Sequence, residues 1–144
     1  MRIRYLLGSL LLALASSAFA APAEYLFVDD SSTILIDTAS AVKIWKAQVD
    51  DSHRMRLQKL YPVGKWGFVS QVQGGFTTDG HCVVTARAVL VPRVLGSRLV
   101  FKPQRSATAF ATKASATRDE CRAIAADKLK EAILAIRSTI LVDR

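Results

Sequence analysis

The spacing of apolar and polar positions changes character at Thr117. Beyond it, Cys121, Ile124, Ala125, Leu129, Ala132, Ile133, Ile136 and Ile140 recur every three or four residues. Arg122, Asp127, Lys130, Glu131 and Arg137 fall on the other side. This is the pattern of an amphipathic helix of about 20 residues with one face to bury. Thr117-Arg118-Asp119-Glu120 predicts a capping box at its start, with acids where the helix dipole favours them.

Before Thr117 the period is two. His81–Val91 is rich in β-branched residues and ends at Pro92, with Cys82, Val84, Ala86, Ala88 and Leu90 on one face. Small alanines there leave room for a helix to lie close. Gly67–Gln73 reads as a second strand, joined to the first through the Asp79-Gly80 turn signal, with Gly74-Gly75 as a bend or bulge. Ser97–Lys102 and Ala107–Thr112 are two further candidates. Tyr25–Val28 and Thr33–Ile36 read as strands around the polar turn 29–32.

Residues 42–60 fit two patterns. Val42–Val49 suits a strand closed by the turn Asp50-Asp51-Ser52. Val42, Trp45 and Val49 also suit a helix running to about Leu60. The β-forming Ile44, Trp45 and Val49 favour the strand. The expected class is therefore α+β: an antiparallel β-sheet meander of about six or seven strands with the C-terminal helix packed on one face.

The N-terminus reads as an address. Arg2 and Arg4 precede the apolar run from Tyr5 to Ala15, and Ala18-Phe19-Ala20 matches a small-residue cleavage site. This predicts a cleavable signal peptide over residues 1–20 and a single exported domain over 21–144. The strongly apolar run is about half of what a bilayer span needs. The mature chain would keep 124 of the 144 residues, with 18 basic against 12 acidic side chains once Arg2 and Arg4 are gone, a net charge of +6.

Export places Cys82 and Cys121 in an oxidising compartment. With no C-x-x-C and only two histidines, they read as one structural disulfide rather than a metal or redox pair. Closing a loop of this length is worth about 4 kcal/mol in the chain-entropy account.

Ile36-Asp37-Thr38-Ala39-Ser40 and Val42-Lys43-Ile44-Trp45 resemble the Ile-Asp-x-x-Ser and Val-x-Val-Trp segments of surface-adhesin protein E-like proteins, here with almost no turn between them. The resemblance implies a small bacterial surface or envelope binding protein, with an antiparallel sheet and a C-terminal helix tied on by a disulfide. It carries over no catalytic residues.

No nucleophile-elbow, zinc-protease or phosphate-loop motif occurs. His53 lies in Asp50-Asp51-Ser52-His53-Arg54 and His81 follows a turn. Contiguous polar residues of this kind make solvated turns, whereas catalytic groups converge from separate elements. Asp29-Asp30 and Asp119-Glu120 read as turn and cap acids, and no cofactor is implied.

Charge says more. Between Asp79 and Asp119 there is no acid, yet Arg87, Arg93, Arg98, Lys102, Arg105, Lys113 and Arg118 are there. On neighbouring strands, Arg87, Arg93, Arg98, Lys102 and Arg105 would form a basic face able to attract an anionic envelope component or an acidic protein partner. Nucleic acid is a poorer match, because aromatics do not alternate with the bases. The expected function is an exported, non-catalytic binding protein. The alternatives are a periplasmic inhibitor or immunity protein that blocks one enzyme, and a small hydrolase using His53 or His81. The sequence leaves the oligomeric state open.

Overall fold

A computed structural model describes residues 24–49, 51–94 and 98–142. The predicted signal peptide (1–20), Asp50 of the expected turn and Ser97 of one expected strand lie outside the described residues. The chain runs β1 (Leu26–Asp29), α1 (Thr38–Gln48), α2 (Asp51–Leu60), β2 (Trp66–Phe76), β3 (Cys82–Val94), β4 (Arg98–Leu99), β5 (Arg105–Lys113) and α3 (Arg118–Val142).

The α+β class, the C-terminal helix and the disulfide are as expected. β2, β3 and β5 form the antiparallel meander, with Val72 and Ala109 flanking Ala86. Three expectations are corrected. Residues 42–60 are helical, not a strand. β1 pairs parallel with β2, Leu26 opposite Gly67, so the sheet is mixed. Thr33–Ile36 is a turn, in which the Leu35 and Ile36 N–H groups donate to Ser32 O at 2.9 and 3.1 Å. The first two share one cause: parallel strands need a long crossover, and a helical crossover supplies it.

α1 begins where Asp37 caps it. Its carboxylate accepts from the Ser40 N–H at 2.8 Å and from the Ser40 hydroxyl at 2.7 Å. Ala41 and Trp45, one turn apart, are buried. Trp45 meets Phe68 with ring centroids 4.7 Å apart, beside Phe27. β1 is short, and side chains extend its hold on β2. Asp29 Oδ1 accepts from the hydroxyls of Ser31 (2.5 Å) and Ser70 (2.9 Å), while the Ser32 N–H donates to Val72 O. The buried Ser70 hydroxyl is thereby satisfied.

α3 lies on the face formed by Cys82, Val84, Ala86, Ala88 and Leu90. It buries Cys121, Ala125, Leu129, Ala132, Ile133, Ile136 and Ile140 there. The predicted capping box forms: Glu120 N–H donates to Thr117 Oγ1 at 3.2 Å, and Thr117 N–H donates to Glu120 Oε2 at 2.8 Å. Cys82, at the start of β3, bonds Cys121, one turn into α3, with their Cα atoms 5.7 Å apart.

Candidate functional site

The other face of the sheet follows from the register. Val69, Gln71, Gln73, Val83, Thr85, Arg87, Val89, Val91, Arg93, Thr108, Phe110 and Thr112 alternate with the helix-covered positions. Val69, Val89 and Val91 are buried beneath Leu99 of β4. Only Arg87 and Arg93 are charged among these positions. Arg87 stands half-buried in mid-sheet between Gln71 and Thr108. Arg105, opposite Leu90, points to the helix side. The five predicted basic residues therefore do not share one sheet face.

Four of them share one end of the sheet instead. Arg93 sits just past the Trp66–Pro92 pair and opposite Leu99, and Arg98 is opposite Val94. Pro103 has no N–H and cannot continue the ladder, so residues 100–104 leave it as a tight knuckle. Val100 N–H donates to Pro92 O at 3.0 Å, Lys102 N–H to Val100 O at 2.6 Å, and Gln104 N–H to Leu90 O at 2.9 Å. Arg105 then resumes the strand along the same edge of β3. Arg93 N–H donates to Lys65 O at 2.7 Å, which adds Lys65 to the group. Lys65, Arg98 and Lys102 are exposed; Arg93 and Arg105 are half-buried.

The segments that build this end, residues 61–66, 90–94 and 98–105, contain no acid. Glu24, just before the Leu26–Gly67 pair, reaches this end from β1 but is paired with Lys46, and Asp79 stands at the far end of β3. Lys65 escaped the sequence reading because it lies before the acid-free run 80–118. Its signal was the absence of any acid between Asp51 and Asp79.

Clefts lie elsewhere among the described residues, two of them lined by polar groups. One, of about 170 Å³, is lined by Glu24, Tyr25, Phe27, Lys46, Val49 and Arg54. Its carboxylate is taken up by Lys46 at 2.9 Å, which together with Arg54 holds Glu24 below the usual carboxylate range. The second, about 210 Å³, lies between the 33–36 turn, the start of α1 and Arg122 of α3. There Asp37 is committed to its cap, and Arg122 Nε donates to Ile34 O at 2.9 Å. The Ser40 hydroxyl of the second cleft donates to the Asp37 carboxylate as part of the helix cap, and no histidine lines either cleft.

The hydrolase alternative required His53 or His81 to meet an acid and a hydroxyl in one pocket. His53 lies on α2 and His81 beside the β2–β3 turn, and neither lines these clefts. Among the described residues no group of three or more His, Cys, Asp or Glu side chains could hold a metal ion, and no helix is long and apolar enough to cross a membrane.

Fold and surface together define a disulfide-pinned α+β domain with one basic end. No protein-family model matches the chain, and no curated protein sequence matches it significantly. Among solved structures, it is similar to the PelC dodecamer from Paraburkholderia phytofirmans (16% identity, 78% of this chain and 86% of that chain, TM-score 0.43). It is also similar to a minor lipoprotein from Acinetobacter baumannii (11% identity, 78% and 90%, TM-score 0.39). Overlays at this level define neither a family nor a function for the chain.

Proposed function

We propose that this chain is a small exported, non-catalytic binding protein that contacts an anionic component of the bacterial envelope through the basic end of its sheet. A place among the surface-adhesin protein E-like proteins belongs to the same reading. One observation carries it: Lys65, Arg93, Arg98, Lys102 and Arg105, from three separate stretches of chain, converge where the contributing segments hold no acid. Like charges gathered this way repel one another. They are tolerated at a surface, where solvent and salt screen them, and a polyanion would relieve them.

The reading predicts that residues 21–144 co-sediment with isolated cell-envelope fractions at low salt and are released as salt rises. Exposed charges are screened over about 8 Å at physiological ionic strength. Arg98→Glu combined with Lys102→Glu is expected to abolish co-sedimentation. Unchanged sedimentation of that double variant would overturn the proposal. Recovery of one stoichiometric soluble protein, with no envelope binding at any salt, would favour the inhibitor alternative.

A further inference from the structure

We infer that the anionic component is a phospholipid bilayer, and that the 100–104 knuckle seats in its headgroup region with Val100 and Phe101 as the apolar contact. This rests on the reading above and narrows its partner.

Cations alone would serve for a soluble polyanion or an acidic protein. This end of the sheet carries more. Val94, exposed at the end of β3, stands opposite Arg98, and in the segment that holds Arg98 and Lys102 Val100 is exposed and Phe101 is 56% exposed. Exposed apolar side chains set among cations match the interfacial zone of an anionic membrane, where apolar groups leave water and basic groups meet phosphate. Backbone bonds from Val100 to Pro92 and from Gln104 to Leu90 fix the knuckle to the long strand β3, so little order has to be gained on contact.

Phe110 supplies a built-in contrast. It is more exposed, at 76%, but stands in mid-sheet among Thr85, Thr108 and Thr112, with Arg87 diagonal to it and the knuckle at the end of the sheet. It has no flanking cations from the knuckle and takes no part in the proposed contact.

The test uses vesicles of phosphatidylethanolamine with increasing phosphatidylglycerol, with phosphatidylcholine vesicles as the uncharged control. A Phe101→Trp variant is expected to shift its emission to the blue as phosphatidylglycerol rises, and to stay unshifted on phosphatidylcholine. Val100→Ser with Phe101→Ser, which leaves the charge intact, is expected to lower partitioning at least about tenfold. Arg98→Glu with Lys102→Glu is expected to lower it further, at roughly fivefold or more per cation. Phe110→Ser should partition like the parent protein.

Parent-like partitioning of the double-serine variant, with no emission shift for Phe101→Trp, would overturn the bilayer inference. In that case, salt-sensitive binding to soluble polyphosphate would leave the anionic-contact reading standing. Failure to bind both vesicles and polyphosphate would sink both.

Discussion

Glu120 spends both carboxylate oxygens at the start of α3. Oε2 accepts the Thr117 N–H, and Oε1 takes Lys113 Nζ at 2.6 Å. The lysine, with the backbone bond, draws its pKa from the ordinary 4.5 down to about 2. The native state therefore holds the proton more weakly than the unfolded chain. The stability that Glu120 contributes is full above pH 4.5 and is lost as pH falls towards 2. Glu120→Gln should flatten that acid limb in thermal melts recorded across pH. Tyr25 acts at the other extreme. Its hydroxyl donates to Tyr61 O at 2.6 Å, and burial raises its pKa to about 12. Its contribution is full below pH 10 and is lost as pH rises towards 12. Tyr25→Phe should cost about 1 kcal/mol at neutral pH in urea denaturation, by leaving that carbonyl short of a donor, and should flatten the alkaline limb. The Thr117–Glu120 cap was legible because its partners are contiguous. The Tyr25 bond was not, since its acceptor is a backbone carbonyl 36 positions away.

Among the elements, β2 shows why register matters. Gly74 adopts φ +136°, and a Cβ there would stand 2.0 Å from Val83 O; Gly75, at φ +148°, faces open space. Both positions resist side chains by backbone conformation, but only Gly74 adds a clash with a neighbouring strand. Gly74→Ala is expected to lose several kcal/mol and Gly75→Ala about 1–2 kcal/mol, compared by denaturant midpoints. The bend at 74–75 was readable from the glycine pair alone. The strand-to-helix error at 42–49 has a specific origin. Ile44, Trp45 and Val49 favour strands intrinsically, yet Asp37 caps a helix, and Ala41 and Trp45 bury one face of it against Phe27 and Phe68. Tertiary burial overrode propensity, and the cap was a sequence signal passed over. A strand at 42–49 would leave no helical crossover, and without one β1 has no route to a parallel partner.

For the whole molecule, the disulfide and the charge distribution were largely written in the sequence, and the assembly of the basic end was not. Two cysteines in a chain that reads as exported leave one pairing. Which cations meet depends on ladder register, on the break at Pro103 and on the Lys65–Arg93 backbone bond, none of which a linear run of charge displays. The bridge ties the first residue of β3 to the first turn of α3, two elements that bury side chains in the same core. Replacing both cysteines, Cys82→Ala with Cys121→Ala, should lower stability by about 4 kcal/mol in guanidinium unfolding. The parent protein assayed with a reductant should match the variant.

The parallel pairing of β1 also sets an order in time. Leu26 meets Gly67 across 41 positions, whereas β2, β3 and β5 are each joined to the next through short connections. A chain made from its N-terminus produces β1 and then α1, whose apolar side at Ala41 and Trp45 has no sheet to rest on. Not until Phe68 has been added can either find its place. The first of the described strands to be synthesised is thus held in waiting until the middle of the chain exists.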